Sequence, residues 1–200
     1  KRISHVVESW QNAHSQALAC LVEGKLTQVN AAQVGKLAGL ALEATSQEKL
    51  AQYCPLTGEA DKALVLGAAS VELQPQAEKL MTLGQAAQWL TGLGTDLIQR
   101  PMSQVSAQQL EEYQSALAAC DGLNESMKKY ISDSVREDLA ARYELAGHKR
   151  SAAQTLQQEY ETLKLEDYSA KGKEALASAL NQGKENIRTA ASVEAVQQAR

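Results

Sequence analysis

SAQQLEEYQSALAACDGLNESMKKYISDSVREDLAARYELAGHKRSAAQTLQQEYETLKL, residues 106–165, decides how the rest of the chain is read. It contains no proline, and its only glycines are Gly122 and Gly147. Ser106 followed three residues later by Gln109 is a capping-box start, with Glu111 and Glu112 at the positive end of the helix dipole. Apolar residues then recur at alternating three- and four-residue steps: Leu110, Tyr113, Leu117, Cys120, Met127 and Ile131. The stripe is ragged through Val135, Leu139, Tyr143 and Ala146 and resumes at Ala153, Leu156, Tyr160 and Leu163. Such a repeat needs a partner helix along its length. Read as one helix, the stretch is about 85–90 Å long. Met127 and Ile131 are then expected to be buried against the partner.

The partner is sought in the first quarter of the chain. Val6 or Val7, Trp10, Ala13 or His14, Ala17 and Leu21 share one helical face over about 4–23, with Trp10 as a core anchor and Gly24 as a stop. A second helix is expected from Asn30, capped by Asn30 and Gln33, with a stripe of Val34, Leu37, Leu40 or Ala41, and Ala44 running on to Leu50 and Tyr53. If 24–30 stays helical, the two merge into a single arm over 4–54. Within it Gly35 and Gly39, flanked by Ala31, Ala38 and Ala41, mark a groove for close helix–helix contact at about 1 kcal/mol each relative to Ala. Pro55 ends the arm. Short helices over 59–73 and from Pro75 form a cap over 55–102, with Gly92-Leu93-Gly94 as a helix end and 101–103 as a connector. After a break at 166–172, a terminal helix runs over 173–188. Ser192 and Glu194 open a last short one. The expected fold is all-α: one elongated helical bundle over 1–200, built on a long antiparallel helical hairpin (arms 4–54 and 106–165) with a cap of shorter helices and C-terminal helices over 173–199.

The composition agrees with helices throughout. Among 200 residues there is no Phe, and only three are Pro. A net charge of −4 with Lys and Arg scattered among acids leaves no basic face for nucleic acid. Apolar runs such as 63–69 are too short to span a bilayer. No targeting signal is visible at Lys1, and the abrupt start and stop are compatible with a fragment of a longer precursor.

The search for chemistry returns few candidates. His5, His14 and His148 do not form HExxH, so no metal or cofactor is expected. There is no nucleophile elbow, P-loop or dinucleotide fingerprint. Glu111 with Glu112, and Glu159 with Glu161, read as exposed acids rather than a catalytic pair, because thin alanine layers offer no dry pocket to separate two pKa values. No catalytic residue and no small-molecule substrate are expected. His148, Lys149 and Arg150 read as a solvent-facing basic patch or as a contact for an acidic partner. Cys20, Cys54 and Cys120 are small buried thiols, or Cys20 and Cys54 form a bridge that leaves Cys120 over. Asn124-Glu125-Ser126 matches the glycosylation sequon but falls inside the expected helix at a heptad core position, where an Asn sets register.

In organisation and composition, with its two arms, helical cap and alanine seams such as Ala116-Leu117-Ala118-Ala119, the chain resembles the elongated helical coat proteins of African trypanosomes. The style is that of the glutamic acid/alanine-rich coat proteins, and more distantly of the N-terminal domains of variant surface glycoproteins. No specific motif carries the likeness, so no functional residue transfers. The resemblance implies a non-enzymatic surface antigen, extracellular and held by a C-terminal GPI anchor outside this chain. It also implies dense lateral packing or self-association and contact of antibodies or host and vector factors with the cap, around 55–58 and 101–103. The alternative is a helical scaffold or adaptor that binds a partner helix or peptide along an exposed seam such as that of Gly35 and Gly39. Binding predicts a contiguous exposed apolar strip of several hundred Å², whereas a coat rod keeps its large apolar residues internal.

Overall fold

A computed structural model describes residues 2–44, 50–52 and 58–199. The helices described in full are α1 (Arg2–Ala19), α2 (Gln28–Ala44), α3 (Glu59–Gly92), α4 (Leu110–Asp121), α5 (Glu125–Lys128), α6 (Asp133–Glu161), α7 (Ala170–Thr189) and α8 (Val193–Gln198), and residues 50–52 are also helical. Shorter helical turns lie at Thr95–Gln99, Met102–Gln104, Ala107–Gln109 and Leu165–Asp167. Among the described residues there is no strand, only isolated bridges, and the all-α class is as expected. The chain divides into two compact units, one of Lys1–Gly92 with Leu123–Ser132, the other of Leu93–Gly122 with Asp133–Arg200.

In the first unit α2 packs against both α1 and α3. Val6, Trp10 and Ala17 of α1 and Ala31, Val34, Ala38 and Ala41 of α2 are buried, as are Leu80, Leu83, Ala86, Ala87 and Leu90 of α3. The merged 4–54 arm does not form. Glu23 (φ 51°) and Gly24 (φ 76°) both adopt left-handed backbone, and Val22 and Lys25 exchange hydrogen bonds of 3.0 and 2.8 Å across them. Two consecutive positive φ values make a tight reversal that no helix can contain. The chain re-enters a helix through Thr27, whose N–H donates to Asn30 Oδ1 at 3.0 Å, while the Asn30 amide donates to the Cys20 carbonyl. Asn30 thus sits inside the first turn of α2 instead of preceding it. The fully buried Leu26 donates its N–H to the Tyr130 carbonyl, which ties residues 123–132 into this unit. Cys20 is a half-buried free thiol. Cys54, Pro55 and most of the expected tip at 55–58 lie outside the described residues.

The cap of short helices is also replaced. α3 runs 34 residues straight through Pro75. Pro75 is on the exposed side, so solvent takes the place of the backbone bond it cannot make.

The helix expected over 106–165 is broken, with its ends in the second unit and residues 123–132 in the first. Ser106 and Gln109 do form the capping box, but α4 stops at Asp121. Asn124 accepts from Met127 N at 2.8 Å as the N-cap of α5, an exposed position and not a register-setting core site. After the single turn of α5 the next helix begins at Asp133, and α4 packs against α6, so the stretch folds back on itself. Tyr113, Ala116 and Cys120 of α4 and Val135, Leu139, Leu145 and Ala146 of α6 are buried. Arg136 Nε donates to Asp121 Oδ1 at 2.6 Å across the fold-back. Ser169 and Ser192 cap α7 and α8 by accepting from Gly172 N at 3.2 Å and Ala195 N at 3.1 Å, the second as expected.

Candidate binding groove

The basic cluster on α6 turns inward. Lys149 is 2% exposed, and its Nζ donates to the carbonyls of Val105 (2.7 Å), Arg188 (2.8 Å) and Ser103 (3.4 Å). Arg142, 5% exposed and one heptad earlier, donates to the carbonyls of Ile98 (3.0 Å) and Arg100 (2.8 Å) and to Asp138 Oδ2 at 2.8 Å. Arg150 donates to the Ala107 carbonyl at 3.1 Å and to Glu111 at 2.5 Å. The irregular segment from Ile98 to Ala107 leaves carbonyls without a helical donor, and three cations of α6 supply the missing protons. Burial, reinforced by the nearby Arg188 charge, pushes the Lys149 ammonium down to about 8. The Arg150 guanidinium holds Glu111 at about 2. The set is structural: its donors are consumed by backbone carbonyls and by the carboxylates of Asp138 and Glu111, and the expected solvent-facing patch reduces to His148, 4.0 Å from Glu144. The 101–103 connector is held by Lys149.

Other residues singled out above stay apart. Trp10 is buried, stacked on His14 with ring centroids 5.1 Å apart, and its Nε1 has no acceptor among the described residues. Partial burial, with the Lys79 charge, lowers the His14 pKa. Glu161 accepts from Gln157 at 2.6 Å. Among the described residues no group of His, Cys, Asp or Glu is arranged to hold a metal, and no helix is long and apolar enough to cross a membrane.

The glycine pair does assemble a site. Gly35 lies against Ala87, with a Cβ position 3.6 Å from it, and Gly84 against Ala38 at 3.4 Å. α2 and α3 are therefore antiparallel and in close contact. Along their outer side runs a groove of about 680 Å³, floored by Gly35, Gly39 and Gly84 and walled by Leu42, Met81 and Gln88. Its lining contains no charged residue. A Cβ at Gly39 would meet nothing within 4 Å. That glycine is inside a helix without serving the contact between α2 and α3. Gly39→Ala is accordingly expected to raise stability by about 0.5–1 kcal/mol in urea titration, through helix propensity alone.

Compared with known protein families, characterised proteins and solved structures, the chain matches none.

Proposed function

We propose that the chain is a non-enzymatic helical scaffold that binds a partner helix along the α2–α3 groove. The observation that carries this reading is Gly39. A residue that weakens its own helix by about 1 kcal/mol, and touches nothing across the fold, leaves room for a backbone to approach from outside. The uncharged walls suit a helix presenting apolar residues at three- and four-residue steps. Leu64, Val71 and Met81 are exposed, which favours binding over a surface coat whose large side chains are internal.

A labelled synthetic helix with Leu at every heptad a and d position tests the groove by fluorescence anisotropy. Saturable binding to the wild-type chain is expected, weakened about tenfold or more by Gly39→Leu, which fills the floor while leaving the circular dichroism and melting unchanged or improved. Equal binding by both proteins would place the contact elsewhere, and no binding to the wild type would remove the reading.

A further inference from the structure

The chain has five asparagines, and four of them, Asn12, Asn30, Asn181 and Asn186, lie inside α1, α2 and α7. Asn124 does not. It comes after the end of α4, with extended backbone (φ −67°, ψ 156°) as it opens the single turn of α5. It is also the one asparagine with a serine or threonine two residues on, here Ser126. A match to so short a motif says little inside a helix, where the backbone withholds the side chain. In a surface turn it marks an acceptor. Asn124, Glu125 and Ser126 are all exposed, as are Asp121 and Gly122 before them. The Asn124 side chain has one committed atom and one free one. Oδ1 accepts from Met127 N at 2.8 Å, whereas Nδ2 donates to no described residue.

We propose that Asn124 is an acceptor for N-linked glycosylation, a site separate from the α2–α3 groove and independent of it. In the transfer Nδ2 attacks the anomeric carbon of an oligosaccharide carried on a lipid pyrophosphate. An N–C bond forms and the C–O bond to the pyrophosphate breaks. The lipid pyrophosphate leaves with the bonding electrons, and the amide loses one proton. Oδ1 forms no new bond, so the cap on Met127 survives and the sugar needs no rearrangement of the fold. α5 is four residues long, too short to hold without packing, so the motif is extended while the chain is being made. In the folded chain it stays at the surface. The lipid-linked donor is met on the secretory route, and the proposal commits the chain to that route.

Peptide mapping of the protein purified from its native source tests this. Peptide N-glycosidase in heavy-oxygen water should convert Asn124 to a labelled aspartate, and the intact chain should move from a slow band to a single fast one. Ser126→Ala, produced in the same source, should lose that shift completely. Ser126 is exposed and the Asn124 cap remains, so the circular dichroism and melting of this variant should match the wild type. Ser126→Thr should keep the glycan. Asn124→Asp retains a capping oxygen, so it should lose the sugar and still melt as the wild type does once that is deglycosylated. A wild-type chain whose Asn124 carries no sugar would overturn the proposal. So would a sugar that persists in Ser126→Ala, since it would sit on another residue.

Discussion

Lys149→Met is expected to destabilise the second unit by about 3 kcal/mol, read as a lowered midpoint in urea. The methionine fills the same space but donates nothing, so the carbonyls of Val105, Arg188 and Ser103 lose their shared donor in a site closed to water. His148→Ala, one residue away and only half-buried, should stay within about 0.5 kcal/mol. A Lys149→Met midpoint equal to that of His148→Ala would show that the three carbonyls find other partners. The pH dependence has a definite sign. The folded pKa lies near 8 and the free lysine value is 10.5. Between those values the unfolded chain holds a proton that the folded chain has released, so stability rises with pH through the window. Other titrating groups cancel when wild type and Lys149→Met are compared, and the gap between them should widen from pH 8 towards 10.5.

Ile131→Asp is expected to cost about 3–5 kcal/mol, among the largest effects a single change can have on the first unit. Ile131 is 4% exposed and bridges to Leu26, next to the hydrogen bond between Leu26 and Tyr130. An aspartate there buries a carboxylate or forces its protonation. Met127→Asp should cost much less, because Met127 is only half-buried on the short α5. Thermal melting of the two variants side by side decides this. Equal losses would mean that 123–132 docks along both residues and not mainly through Ile131.

Residue-level signals were legible where one side chain sufficed to set local geometry. The Ser106 and Gln109 capping box, the Ser192 cap and the break at Gly92 and Gly94 all stand as read. Of the two glycines expected to permit close helix contact, Gly35 does so against Ala87, whereas Gly39 meets nothing across the fold. Continuity was not legible. A stripe of apolar residues has the same period whether the helix continues or stops and restarts, so Asn124 was read as a core Asn although its side chain serves as a cap. The inward cations were missed for a related reason. Val135, Leu139, Arg142, Ala146 and Lys149 follow unbroken three- and four-residue steps, and a cation at such a core position is a signal that the facing segment is not helical. Tyr143, the neighbouring apolar residue, masks that signal. The carbonyls of Ile98 to Ala107 that need those cations cannot be seen in a sequence, because they depend on a turn that departs from helix.

Because residues 123–132 belong to the unit begun by α1, α2 and α3, that unit is discontinuous in the chain. A ribosome that has released the chain only as far as Gly92 has not yet supplied Ile131, nor the Tyr130 carbonyl that accepts from Leu26. The amino-terminal half can reach its final packing only after a stretch of the other unit has also emerged, and a truncation placed at the natural-looking stop of Gly92 would discard part of the piece it meant to keep.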